Sequence, residues 1–269
     1  MNESAIAAEE AKSCCAVAYE NDWARLLLGD SFHPGGIDLT LRLGRALGLR
    51  PGMHVLDVAC ARGTSALALA GEFGCFVHGV DLGERSIAEA RVAAQSAGLD
   101  HLVTFEVGDA EGLPVPAASF DCLICECAFC TFPSKGAAAL EFRRALRPGG
   151  RLGLTDITRT GVLPAELQTL LGWVACLADA RPVDEYIGFL SSVGFTDFRQ
   201  EGHNSALASL ASKIKFKLIG VEVLARVGKA PVPLDEVLQA KRITKVAAES
   251  IRTGTLGYAL LVARRGEGE

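Results

Sequence analysis

Apolar runs and helix-like patterns alternate along the chain from Leu39 to about Arg199. His54–Val58, Phe76–Val80, Val103–Val107, Cys122–Cys125 and Arg151–Thr155 are short apolar runs that predict strands. Thr64–Glu72, with small closely packing residues, and Glu84–Ser96, rich in Ala and Arg, predict helices between them. A further helix, Lys135–Leu146, ends where Arg147-Pro148-Gly149-Gly150 turns the chain, because Pro and Gly stop helices. Such strand–helix alternation is the signature of a doubly wound, mostly parallel sheet with helices on both faces. Two later runs, Phe195–Gln200 and Leu256–Ala263, bring the expected strands to seven.

Two segments lie outside this alternation. Residues 1–38 predict a helix, Ala5–Leu28, and a turn-rich lid loop, Gly29 to Gly36. Residues 205–252 read as helical and fall just before the last strand and tail, residues 253–269. An insertion there caps the carboxyl edge of the sheet, where ligands bind in such architectures. The core is therefore expected over residues 39–204.

Composition narrows the partners. With 269 residues, 49% of them apolar, the chain is long enough for one large core. A net charge of −5 and the absence of a basic run broken by aromatics argue against nucleic acid and against an anionic membrane surface. The Ala/Glu-rich start lacks a secretory pattern, and no apolar stretch reaches the ~18 residues of a membrane span. A soluble, cytoplasmic protein is expected, with its nine cysteines as reduced thiols. Oligomeric state is not legible.

The strand ends carry the candidate chemistry. After the first strand, Asp57-Val58-Ala59-Cys60-Ala61-Arg62-Gly63-Thr64 supplies small residues that let backbone approach a ligand, and a helix start with free N–H groups. A strict G-x-G-x-x-G is absent, which counts against a dinucleotide pyrophosphate. Asp81 in Val80-Asp81-Leu82 ends the second strand and can accept from two ribose hydroxyls. Asp109 and Ala110 follow the third strand, where an acid can accept from an adenine amino group. Taken one at a time, such an Asp is more often a cap or a solvated turn. Three in order at strand ends form a series.

That series resembles class I S-adenosylmethionine (SAM) dependent methyltransferases over residues 50–200. Ser119-Phe120-Asp121 and the Arg147–Leu152 turn resemble their ubiquinone/menaquinone-type branch. The resemblance implies a Rossmann-like fold, SAM as cofactor, and Asp57, Ala59, Gly63, Asp81, Leu82, Asp109, Ala110 and Cys125 around it. Ala59-Cys60-Ala61 departs from the family's usual Gly-x-Gly.

The cysteines refine the resemblance. Cys125-Glu126-Cys127-Ala128-Phe129 ahead of Pro133-Ser134-Lys135, with Cys176-Leu177-Ala178-Asp179-Ala180 downstream, is similar to arsenite methyltransferases. The resemblance implies Cys127 and Cys176 as substrate-holding and catalytic thiols, since trivalent arsenic prefers thiolates. A third family cysteine is missing at Asp30; either Asp30 stands in for it, or Cys14 or Cys15 supplies the thiol. His33, in the Phe32-His33-Pro34 loop, is a further substrate contact or a turn cap, and no structural metal is expected. The substrate is then a metalloid or another small molecule, with a thiol reductant as a possible partner. Two alternatives stand beside this: a C-, N- or O-methyltransferase of an organic acceptor, with His33 or Glu126 assisting deprotonation and the thiols as packing, and a non-catalytic SAM or metalloid binder.

Overall fold

The computed structural model describes Lys12, Glu20, Leu26, Leu27, Gly29, residues 32–230 and residues 232–267. The expected helix over Ala5–Leu28 is covered only at scattered positions, and Cys14, Cys15 and Asp30 lie outside the described residues.

Seven strands form one sheet in the order β3-β2-β1-β4-β5-β7-β6. They are β1 His54–Val58, β2 Phe76–Asp81, β3 Val103–Val107, β4 Phe120–Glu126, β5 Leu146–Arg159, β6 Phe195–Gly202 and β7 Leu256–Arg265. Strands β1 to β5 pair in parallel, and β7 runs antiparallel to both β5 and β6. The central strands are apolar without alternation: β1 and β4 are buried over most of their length, as expected of a sheet covered on both faces.

The helices are α1 Gly36–Ala46, α2 Thr64–Phe73, α3 Glu84–Ala97, α4 Lys135–Ala145, α5 Leu170–Val174, α6 Val183–Ser192, α7 Asn204–Arg226 and α8 Leu234–Arg252. Leu39 and Leu43 of α1, with Leu47 just beyond it, recur every four residues and are all buried, so they present one face to the sheet. Gly153, mid-strand in β5, is what lets α1 sit so close. A Cβ there would meet Leu43 at 2.7 Å and Leu47 at 3.0 Å.

Three expectations are corrected. The helix expected over Lys135–Leu146 ends at Ala145, and the fifth strand runs from Leu146 to Arg159, not only Arg151–Thr155. Leu146 already pairs with Phe120, and the ladder resumes at Cys122 opposite Arg151 after a register shift. The Arg-Pro-Gly-Gly turn is thus a bulge, with Gly149 at φ 73° absorbing the extra residues. At its far end β5 is prolonged because Asp156 to Arg159 find partners on β7. The lid loop also stops sooner than expected, since Gly36 already begins α1.

Helices α7 and α8 pack against each other as the expected insertion between β6 and β7. Leu218, Val221 and Val237 form a small core of their own there, with Leu27 packed against it.

Filling the gap at Gly153 should cost stability. Gly153→Val forces α1 off β5, and overpacking of this kind costs about 1–3 kcal/mol. Chemical denaturation should show a lower midpoint with the slope unchanged; an unaltered midpoint means that α1 is not seated as described.

Candidate functional site

The loop after β1 turns through two left-handed residues, Ala59 at φ 59° and Ala61 at φ 46°. These are the positions where the family pattern has glycine. The backbone keeps the glycine conformation although both residues carry a Cβ, a state that disfavours L-residues by about 1–2 kcal/mol each. Asp81 holds the loop there: its Oδ2 accepts the Ala61 N–H at 2.8 Å and its Oδ1 accepts the Gly83 N–H at 2.8 Å. Burial raises the Asp81 pKa above the usual carboxylate range, and the two N–H groups work against that rise. Gly63, at φ 75°, starts α2, and a Cβ there would strike the Phe105 ring at 2.5 Å. Its role is therefore close packing and the helix start.

A cleft opens at this edge of the sheet. Ala59, Asp81, Leu82, Asp109, Ala110 and Cys127 all line it, together with Phe32, Glu126 and Lys12. Five of the eight residues expected around a cofactor thus share one cavity. Asp57 lies beside it, in an adjoining polar recess. Gly63 supports it from behind. Cys125 is a correction: it is fully buried in β4, paired with Val58 and Leu154, and is not among the residues lining the cleft. The strand turns outward only after Glu126, so the next thiol, Cys127, is the one that reaches the cleft.

Asp109 is engaged from the amino-terminal side. Lys12 Nζ lies 2.7 Å from its Oδ2 and 2.6 Å from Glu111 Oε2. Burial works against the Lys12 charge, but the two carboxylates outweigh it and raise its pKa. Glu20 Oε1 accepts the Arg85 N–H at 2.8 Å at the start of α3. Both contacts set Lys12 and Glu20 at strand ends that flank the cleft.

The polar recess measures about 40 Å³ and is lined by His33, Asp57, Ser65 and Glu126 among others. Glu126 Oε2 accepts from Ser65 Oγ at 2.6 Å and from Thr40 Oγ1 at 2.9 Å, and lies 3.6 Å from His33 Nε2. His33 Nδ1 faces the Pro34 carbonyl at 3.2 Å. The remaining oxygens, Asp57 Oδ2 and Glu126 Oε1, are buried and have no hydrogen-bond partner among the described residues. Burial first, and then the charges of Glu126 and Asp81, push the Asp57 carboxyl well above its usual range. Two orphaned acid oxygens are costly unless a cation meets them. The recess is close to one water in size (~30 Å³), which suits an ammonium group. The residues present therefore fit the cationic amino-acid end of SAM.

Beyond Cys127 lies a second, apolar cleft of about 280 Å³. Ile157 of β5, Leu210 and Ile214 of α7, Ile243 and Ala247 of α8, and Cys176 after α5 are among its walls. Phe32 and Cys127 line both clefts and stand at their junction.

The two thiols expected to cooperate do meet. Cys127 sits at φ 53° and Cys176 at φ 61°, and Cys176 Sγ lies 3.2 Å from the Cys127 carbonyl oxygen, to which it donates. The contact with the Cys176 thiol is the main reason that the Cys127 pKa stands well above normal; burial adds to it. Cys130 stands next to them, held neutral chiefly by burial. Behind the group lies Asp156, whose Oδ2 accepts the Cys130 N–H at 2.9 Å; burial pushes its carboxyl up to about 7. Lys135 clamps the segments together, donating to the Cys130 carbonyl at 2.9 Å and to Asp179 Oδ2 at 2.5 Å. Among the described residues no cluster of three or more His, Cys, Asp or Glu has metal-holding geometry. Thr40, Ser65, Asp156 and Lys135 were not singled out by the sequence. Their partners are up to 86 residues away along the chain, so no local pattern marks them.

The model for a methyltransferase domain matches residues 49–183, half of the chain. This chain is a SAM-dependent methyltransferase. It is 29% identical over 233 residues to methyltransferase GfsG of Streptomyces halstedii, covering 78% of this chain and 84% of that one. It is 27% identical to (+)-O-methylkolavelool synthase of Herpetosiphon aurantiacus, covering 90% and 89%. With arsenite methyltransferase of Halobacterium salinarum it shares 31% identity, over 60% of this chain and 42% of that one. A putative sarcosine dimethylglycine methyltransferase from Galdieria sulphuraria has the same fold, with a TM-score of 0.78 at 20% identity, covering 93% of this chain and 99% of that chain.

Two outcomes are expected of this methyltransferase. Asp81→Ala should weaken SAM binding by one to two decades in calorimetry, the loss of a charge-assisted hydrogen bond of about 1.5–3 kcal/mol; unchanged affinity removes Asp81 from the ribose site. Ala59→Gly should raise the melting free energy by about 0.5–1 kcal/mol, since relief of the left-handed strain exceeds the entropy that glycine costs. A destabilised Ala59→Gly variant shows that the loop is not strained.

Proposed function

We propose that this methyltransferase acts on an apolar organic small molecule bound between the end of β4 and the α7–α8 pair. The observation that carries the reading is the 280 Å³ cleft with its apolar walls, opening onto the cofactor cleft at Phe32 and Cys127. An acceptor that buries about 200 Å² of apolar surface there gains roughly 5 kcal/mol at ~25 cal/mol/Å². A small inorganic hydroxide has no such surface to bury.

When bound, SAM supplies an electrophilic methyl group on a sulfonium. The residues of the chain do the rest. The apolar walls bind the acceptor and exclude water, and Phe32 and Cys127 confine its reacting atom to the junction. Asp57 and Glu126 offer their free oxygens to the cationic end of the donor. The proton of an acceptor hydroxyl passes to His33, next to Phe32 in the chain and 3.6 Å from Glu126 Oε2. The relative named for an O-methylated product, similar over nearly the whole chain, agrees with an acceptor of this class.

A second reading has one specific observation in its favour: Cys127 and Cys176 meet at the junction, as holding arsenite or an arsenic–thiol adduct requires, and one relative is an arsenite methyltransferase. Electrostatics weigh against it. Thiols must lose their protons to hold the ion, and here both the contact between them and the buried Asp156 favour the neutral forms.

A SAM-consumption assay separates the readings. Apolar alcohols and phenols should turn over, and Ala211→Phe, which fills the cleft from α7, should raise KM at least tenfold with SAM affinity intact. Cys127→Ser and Cys176→Ser should keep most of that activity. Turnover with thiol-complexed arsenite alone, lost in both serine variants, establishes the arsenic reading instead; tight SAM binding without turnover of any acceptor makes the chain a binder.

The thiol cluster also predicts a pH dependence. A carboxyl raised in the folded state adds stability below its unfolded pKa, and that stability is lost as pH rises through the folded value. For Asp156 the window runs from about 4 to about 7. The stability of the wild type relative to Asp156→Asn should therefore fall between about pH 4 and about pH 7 in denaturant titrations and level off above that; a constant difference shows that Asp156 is ionised throughout.

A further inference from the structure

Helix α7 has two apolar faces. Leu210, Ile214 and Leu218 turn inward to the acceptor cleft. On the outside Phe216 is 79% exposed, Ile219 52%, Val223 58% and Val227, just past the helix end, 61%. Their spacing of three, four and four residues places them in one stripe. A row of large exposed apolar side chains marks a contact surface.

The charges around the stripe are one-sided. Within α7 stand Lys213, Lys215, Lys217 and Arg226 against the single acid Glu222, a net +3 on a chain whose total is −5. Lys213, Lys215 and Arg226 are exposed. Glu222 is turned to Arg226 at 2.6 Å and to Lys241. The acidity of the whole chain argues against an anionic surface; this helix carries the opposite sign.

We infer that the outer face of α7 docks onto an anionic lipid surface, with the Phe216–Val227 stripe at the acyl boundary and the flanking Lys and Arg among the phosphates. The outer face joins an apolar stripe to cations at its rim, the arrangement by which long basic side chains reach the phosphates while apolar ones seat at the acyl boundary. A second copy of the chain fits the face less well. Antiparallel pairing sets Lys213 and Lys215 against the partner's Arg226 region, and parallel pairing sets lysine against lysine; both juxtapose like charges. The inference rests on the apolar-acceptor reading in one respect. The same helix walls the acceptor cleft, so an acceptor dissolved in the bilayer reaches that cleft along α7.

The test is co-flotation of the full chain with vesicles of phosphatidylcholine, alone or with ~30% phosphatidylglycerol. The chain should float with the anionic vesicles, at least tenfold less with the neutral ones, and less as salt is raised. Phe216→Asp/Val223→Asp and, separately, Lys213→Glu/Lys215→Glu should each lower the partition at least tenfold with unchanged melting temperature. Absence of flotation with either vesicle, or full flotation of both double variants, overturns the inference. So does sedimentation of the free chain as a dimer that Phe216→Asp dissociates, since the face is then a contact between copies. Methylation of apolar acceptors added in solution is read on the wild-type chain, and both double variants should keep it. Turnover without vesicle binding sinks the docking alone, whereas vesicle binding without apolar turnover sinks the acceptor reading alone.

Discussion

Two backbone N–H groups, those of Ala61 and Gly83, converge on the carboxylate of Asp81, and the donor half of the molecule depends on that convergence. One belongs to the loop that leaves β1, the other to the turn that enters α3. Joined through one side chain, they fix the width of the gap between the first two strand ends. The left-handed bends at Ala59 and Ala61 are held against their own sterics by this contact and by the packing around Gly63. Strain of this kind persists only where the surroundings over-determine the conformation, and here the surroundings are a buried acid and the rigid start of α2.

The second half of the site is organised by different physics. Among the described residues no charged side chain lines the acceptor cleft; its shape comes from two helices and a short turn leaning over the sheet edge. Lys135 ties the turn that carries Cys176 to the end of β4 through one ion pair and two carbonyl contacts. The thiols that result are neutral, close together and partly shielded. They behave as soft apolar walls whose sulfur positions are set by backbone bends at Cys127 and Cys176 and by the neighbouring carboxyl of Asp156.

How much of this was legible in the sequence differs by element. β1 and β3 appear where their apolar runs stand: β1 is buried over most of its length and has no other pattern to display, whereas β3, at the sheet edge, alternates buried and exposed positions. The fifth strand was misjudged at both ends: a Pro-Gly-Gly run looks like a terminator when it stands alone, yet here it is a bulge inside a ladder. Helix α1 went unread although Leu39, Leu43 and Leu47 recur every fourth residue, since glycine and proline before them suggested loop alone. The acids at 57, 81 and 109 were legible as a series at strand ends. Cys125 was misplaced by one turn of the chain, because the strand runs on to Glu126 before it releases its last side chains. The Glu126–Thr40–Ser65–His33 group was not legible, being assembled from three distant segments. Nor was the apolar cleft, which belongs to the space between elements.

The α7–α8 pair leaves the sheet after β6 and returns at β7, and the two points of departure are neighbours. Gly202 pairs with Ala259, the His203 N–H donates to the Tyr258 carbonyl at 2.7 Å, and Asn204 Oδ1 accepts the Tyr258 N–H at 2.9 Å. The hairpin thus springs from a closed clasp, with its own small core, and closing that loop places no demand on its length. Such a segment can be exchanged for another of different size while the strands and the donor half stay as they are. In an enzyme whose acceptor pocket is half made by that segment, diversification is a grafting problem: new chemistry at the reacting atom is not needed, only a new hairpin on an unchanged stem.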